Sequence, residues 1–318
     1  MTTQTAAAAD RAVEAQDIRV RRLPSFTLAI PAWAWLLGFF LAPVSLVLWY
    51  SFGRKPGLFG THTNDELSFD RYREALEPAY LPTFINTLRI GVVGTVICLA
   101  IGLPFAYWLA VKVPPRWRGL LLGLVLVPYW TNFLVRTLGW EIILSPQGWV
   151  STTLMDLGLR DSPLSVLYTR GAVQLGVVYN YLPLMILPIY VAFERIDPAL
   201  REASRDLGAS RWHTFTRISL PLAGPGVAAG LLLVFIPLMG DYVTATVLGG
   251  AKGNMAGQLV ASEFQTAQNW ALGSAMAVLL IIFIGVTVAF FAILWKSLSA
   301  VSRARRGVIV IDTRGGTP

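Results

Sequence analysis

One cysteine and two histidines occur in 318 residues, and charged side chains make up only 14% of the chain, where soluble domains carry about 25%. A lone Cys98 excludes an internal disulfide and a cysteine-based metal cluster, and His62 and His213 alone argue against a zinc site. No G-x-x-x-x-G-K-[ST] phosphate loop occurs. The nearest pattern, Gly249-Gly250-Ala251-Lys252-Gly253, lacks the spacing that cradles phosphates, so any nucleotide is expected on another chain. Neither histidine falls in an apolar block, and Asp241 has no second aspartate at similar depth. The pairings that an intramembrane protease or hydrolase needs are therefore missing.

What the chain has is apolar surface. Hydrophobic residues make up 55% of it, gathered in blocks that exceed the roughly 18 apolar positions of a membrane-spanning helix and lack the polar stripe of a soluble core helix. Six spans are predicted at about 27–52, 84–111, 119–144, 171–193, 222–245 and 271–296. The first follows Arg19, Arg21 and Arg22 and is too long for the apolar region of a signal peptide, so it reads as a retained anchor. With the amino terminus inside, inner segments hold 17 lysines and arginines and outer segments seven. Basic residues favour the cytoplasmic side, so both termini are expected there, and the net charge of +8 reads as a topology signal rather than a nucleic-acid surface. Pro128, Pro183, Pro188, Pro225, Pro237 and Gly240 interrupt the later spans. Such breaks occur where protein or a water-filled cavity satisfies the backbone, and also as ordinary kinks in a packed bundle.

The inner segment 197–221 reads DPALREASRDLGASRWHTFTRISLP. Asp197 and Pro198 start a helix, Gly208 ends it, Ser210 caps a second helix through about Arg217, and Pro221 opens the next span. Leu200, Ala203 and Leu207 share one apolar face, and Trp212 and Phe215 form an aromatic pair on one side of the second helix. Such a surface suits the groove of another protein.

Glu202-Ala203-Ser204, Gly208 six positions after the glutamate, and Ile218-x-Leu220-Pro221 resemble the EAA loop of ABC importer permeases, with Ser204 where alanine is usual. VPYWTNFLVRTLGW at 127–140 and PLMGDYVTATVLGGAK at 237–252 look like the permeases of spermidine/putrescine importers, and permeases for opines and other amines share similar wording. The resemblance covers about residues 30–295. It implies an all-α polytopic fold with type I importer architecture: a cytoplasmic segment 1–26, a six-helix permease domain 27–296 with the coupling loop at 194–221, and a cytoplasmic tail 297–318. It also implies that Glu202, Ala203, Gly208, Phe215, Leu220 and Pro221 belong to the element that docks on an ATP-binding subunit. The implied partners are two such subunits, a second permease, an extracytoplasmic binding protein and the lipid bilayer of a bacterial inner membrane. This chain is expected to bind no cofactor and to act as no enzyme, with ATP and magnesium held by the partner.

Asp241 lies in the fifth block, where a charge costs about 2.5–3.5 kcal/mol near the bilayer centre. Two readings offset that cost. In one, Asp241 with Tyr242, Tyr129 and Trp130 lines a path for an organic cation. In the other, Asp241 pairs with Arg136 or meets the outer water. Arg136, which would repel a cationic cargo, is expected to be neutralised by Asp241 or Glu141. Lys252 and Glu263, in the outer loop 246–270, are either docking contacts for the binding protein or solvated loop charges. A carrier driven by an ion gradient is the competing class, but Asp241 is the one clear intramembrane acid.

Overall fold

The computed structural model describes residues 25–57 and 59–304, and the expectations for 1–24 and 305–318 lie outside the described residues. Among the described residues the fold is helical, with one isolated antiparallel bridge, Arg54 with Thr63. Two compact units divide at Leu46 and Val47. The first carries α1 (Ser25–Leu36), a π turn (Leu37–Leu41) and most of α2 (Ala42–Tyr50). Ala29–Tyr50 is long and apolar enough to span a membrane, with aromatic rings such as Trp33, Trp35, Phe39 and Phe40 exposed.

In the second unit, α3 (Asp70–Ala75) precedes α4 (Leu81–Val111), which continues through Pro104. Next come α5 (Pro115–Trp130), α6 (Phe133–Leu144), α7 (Trp149–Asp156) and α8 (Arg170–Glu194), the last containing Pro183 and Pro188. The connection 195–223 holds α9 (Pro198–Asp206), α10 (Arg211–Thr214), a π turn (Phe215–Ser219) and α11 (Leu220–Leu222). After α12 (Gly224–Met239) and a π turn (Ala245–Gly249) come α13 (Ala256–Gln265) and α14 (Trp270–Ala304), so the last helix runs past the expected end at 296. Four helices are long and apolar enough to span, and two bent pairs bring the number to six if each pair is one span.

Those bends fall near prolines that interrupt the third and fifth apolar blocks, Pro128 and Pro225. In the third, the Pro115–Trp130 helix and the segment Phe133–Asp156 meet at 87°. The local chemistry explains it: Thr131 donates both its N–H (3.2 Å) and its hydroxyl (2.6 Å) to the Pro128 carbonyl, and the Asn132 side chain caps the Leu134 N–H at 2.8 Å. The fifth span ends at Met239 rather than about 245, because Pro237 and Gly240 stop the helix and the Tyr181 hydroxyl donates to the Pro237 carbonyl at 3.4 Å. Its amino-terminal start bends by 66° between Arg211–Leu222 and Gly224–Met239.

The core lies where α4, α8 and α12 pack together, around Cys98, Val177, Met185, Ile189 and Val234. Lipid tails are as apolar as leucine, so close backbone approach and interhelical hydrogen bonds must hold such a bundle. A Cβ at Gly176 would stand 2.5 Å from Leu248. Buried Asn180 donates to Thr137 Oγ1 at 3.2 Å, tying α8 to α6.

Candidate functional site

Asp197 caps α9 by accepting the Ala199 N–H at 2.9 Å, and Gly208 ends it with φ +83°. Ser210 caps α10 by accepting the His213 N–H at 3.2 Å. Between the two helices, the hydroxyls of buried Ser204 and Thr214 meet at 3.0 Å. Serine at the position where the resembling family carries alanine therefore links the two helices of the loop.

The loop has two unlike faces. Glu202, Ala203, Leu200, Leu207 and Trp212 are exposed, with Leu207 at 89% and Trp212 at 73%. Phe215 is turned the other way. Its ring centroid lies 5.7 Å from that of Trp212 at a tilt of 32°, but the ring also meets Tyr107 at 4.8 Å and Phe193 at 6.3 Å, wedged between the ends of α4 and α8. The aromatic pair is thus split, with Trp212 displayed and Phe215 anchored. Helical spacing places both rings on one side, but the π turn beginning at Phe215 was not legible in the spacing. Leu220 is half-buried and Pro221 exposed in α11, one turn ahead of the 66° bend.

A second tie lies beside the loop. The Tyr190 hydroxyl donates to Glu194 Oε1 at 2.5 Å, and Arg118 Nη1 stands 3.8 Å from the same oxygen. Arg118 Nε also donates to the Val113 carbonyl at 2.9 Å, so the entry to the third span is bound to the residues that feed α9. Sequence reasoning passed over this network, although Glu194 at the boundary of an apolar block was a visible signal.

Asp241 is 5% exposed. Its two oxygens accept the Thr244 N–H at 3.0 Å and the Thr244 hydroxyl at 2.6 Å, so the carboxylate caps the turn that leads into Ala245–Gly249. Arg136 is neutralised by neither acid named for it: among the described residues the ion pairs are Arg71 with Glu74 and Arg118 with Glu194. Its guanidinium lies over aromatic faces instead, 5.3 Å from the Tyr129 centroid and 5.6 Å from that of Phe133. The ring quadrupole offsets part of its charge. Glu141 accepts from the Tyr168 hydroxyl at 3.4 Å. Trp130 and Tyr242 are exposed and Tyr129 is half-buried. Lys252 is exposed, whereas Glu263 is half-buried on α13 rather than a solvated loop charge.

The family described as binding-protein-dependent transport system inner membrane component matches residues 102–299, and the chain belongs to it. It is a multi-pass inner-membrane protein of the transport permease class. Among its relatives, the spermidine/putrescine transport system permease protein PotB of Haemophilus influenzae is 41% identical over 257 residues, covering 81% of this chain and 88% of that protein. PotB of Escherichia coli strain K12 is 38% identical over 270 residues, covering 83% and 94%. The fold matches a chain of a bacterial ABC transporter that imports the acidic polysaccharide alginate, with TM-score 0.68, 17% identity and coverage of 91% of this chain and 97% of that one. A second structure of an alginate ABC transporter, bound to a periplasmic protein carrying an alginate pentasaccharide, matches with TM-score 0.67 at 17% identity, over 85% and 93% of the two chains.

Proposed function

We propose that the chain is a pathway-forming permease subunit of an ATP-driven importer of polyamines, spermidine and putrescine foremost, or a related amine. An external binding protein delivers the cargo, a second permease completes the pathway, and two ATP-binding subunits hydrolyse ATP with magnesium. Both termini and the coupling loop face the cytoplasm. The observation that carries this reading is the loop's division of labour: exposed Glu202, Leu207 and Trp212 on one face, and Phe215 wedged against Tyr107 and Phe193 on the other. A partner that pushes on the first face moves the ends of α4 and α8 through the second. The identity of 37–41% with PotB proteins supports the cargo class. In this reading the path runs past the exposed rings of Trp130 and Tyr242, whose faces suit organic cations, with Arg136 over the Tyr129 ring and Asp241 next to Tyr242 in the chain.

Labelled spermidine uptake, measured in cells with and without the chain and with its binding protein present, tests this reading; no difference in uptake for any amine that stabilises the binding protein would sink it. Asp241→Asn keeps an oxygen to accept from Thr244, so the variant is expected to fold and reach the membrane while uptake falls severalfold. Unchanged affinity and rate would remove Asp241 from the pathway's field.

A further inference from the structure

Glu194 is the last residue of α8, and Arg195, Ile196 and Asp197 alone separate it from Pro198, where α9 begins. That connection is held at its middle, because Ile196 is buried and its N–H donates to the Phe193 carbonyl at 3.3 Å. Phe193, next to Glu194 in the chain, meets the Phe215 ring of the loop. A displacement of the loop therefore reaches Glu194 by two routes, the covalent connection and the Phe215 ring. Glu194 is itself held in one orientation. The hydroxyl of buried Tyr190, one turn back, donates to its Oε1, and Arg118 Nη1 stands 3.8 Å from the same oxygen.

Arg118 lies in the first turn of α5. Its Nε–H donates to the carbonyl of buried Val113 at 2.9 Å, so the guanidinium bridges the turn between α4 and α5 to the exit of α8. Within this chain α5 is anchored unlike its neighbours. Twelve residues are buried in each of α4 and α8, but none of the 16 in α5, where Leu121, Leu122 and Val125 pack half-buried on the core. Few buried apolar contacts mark a segment that moves at low cost. At the far end Thr131 closes on the Pro128 carbonyl and the chain turns by 87°. Between these polar anchors α5 is a rod about 24 Å long at helical rise, with Tyr129 and Trp130 at the end remote from Arg118.

We propose that Arg118 and Glu194 are a positioning pair that transmits movement of the loop 197–221 to α5, and so to Tyr129 and Trp130. This role rests on the importer reading above, since it needs an ATP-binding partner to move the loop and a cargo to pass the rings. Phe215 reaches α4 and α8, and the ion pair extends the same movement to the third span. A purely structural role fits poorly, because the side chains of Arg118 and Glu194 are 23% and 45% exposed and an ion pair so placed contributes little to stability. A contact of that kind breaks and re-forms at low cost, as one remade in every transport cycle must.

The test uses the complete transporter in vesicles, with binding protein, spermidine and ATP, and reads spermidine carried per ATP hydrolysed. Arg118→Gln removes the charge from one side. Glu194→Gln removes it from the other and keeps an oxygen for the Tyr190 hydroxyl. Each is expected to lower the ratio about fivefold, the low end of coupling between distinct sites, with the KM for loaded binding protein and the melting temperature unchanged. The double variant is expected to show the same loss of about fivefold, because two residues that act as one contact are not additive. An unchanged ratio in both single variants overturns the proposal, and so does an additive loss of about twenty-fivefold in the double variant. A lowered melting temperature with hydrolysis and uptake falling in proportion overturns it by making the pair structural. Loss of the ATP-binding subunit on co-purification of Arg118→Gln overturns it by assigning Arg118 to that partner. A wild type in which spermidine-loaded binding protein stimulates no hydrolysis sinks the polyamine importer reading and the pair's role together, whereas a coupled wild type beside unaltered variants sinks the pair's role alone.

Discussion

Gly208 holds φ +83°, and a Cβ placed there would meet nothing within 4 Å. Any penalty for substitution is thus a backbone penalty rather than a clash. Alanine in the left-handed region costs about 1–2 kcal/mol, whereas asparagine visits that region more readily. Gly208→Ala is expected to lower the stimulation of the partner ATPase by cargo-loaded binding protein, with Gly208→Asn between it and wild type; a Gly208→Ala transporter indistinguishable from wild type in coupled ATPase assays would contradict this. Glycine was read from the sequence as the helix end, and the geometry agrees. For Asp241, the alternative of a pair with Arg136 is not found among the described residues. An acid inside an apolar block looks like a charge seeking a partner of opposite sign, but Thr244 meets it three residues later with both an N–H and a hydroxyl. Capping by a neighbour leaves no mark in hydropathy.

Between the loop 197–221 and the bundle, the Phe215 ring is one of the apolar contacts, with Leu220 also packed against the core. Phe215 meets Tyr107 and Phe193, so Phe215→Ala leaves a gap at the junction. Full burial of phenylalanine is worth about 3–5 kcal/mol on truncation, and a half-buried ring about half of that. The variant is expected to keep its ATPase partner on co-purification yet uncouple hydrolysis from uptake, because the docking face on Leu207 and Trp212 remains. At the other end of the molecule, α13 carries Glu263. Burial pushes its carboxyl above the usual range, nearby Glu74 adds to the shift, and Lys55 opposes it. A raised native value means that the folded state favours the protonated form. The contribution of this group is present below the unfolded value and lost as pH rises through the folded one. Hydrogen exchange along α13 should therefore slow as pH falls from neutral to mildly acidic, after correction for the intrinsic rate. Glu263→Gln should flatten that dependence; a variant with the same pH profile as wild type would reject the assignment.

For the molecule as a whole, the proposed function depends on a surface that the described residues leave exposed. Leu207 at 89% and Trp212 at 73% exposure lie on a loop whose other side is packed. Leu207→Asp places a charge where an apolar contact with the ATP-binding subunit is proposed, and buried unpaired charge in an interface costs several kcal/mol. Recovery of that subunit on co-purification should fall at least tenfold while membrane insertion is unchanged; equal recovery would move the docking face elsewhere.

The amino-acid sequence by itself determined the solvent of this protein, its approximate spans and the helix–turn–helix in its fourth inter-span connection. Each of these depends on local chemistry: apolar runs long enough for a bilayer, Asp197 and Ser210 as caps, and Gly208 as a stop. Only the tertiary structure decided that the third span folds at 87°, that Phe215 turns inward while Trp212 turns outward, that Arg136 rests on rings rather than acids, and that Arg89 and Arg170 share a cavity. The inward turn of Phe215 and the shared cavity rest on pairs remote in the chain, Tyr107 with Phe215 and Arg89 with Arg170, while the bend and the seat of Arg136 rest on near neighbours whose geometry hydropathy does not report. Periodicity reports the face on which a side chain stands, but what that face meets is set by the packing of other helices against it.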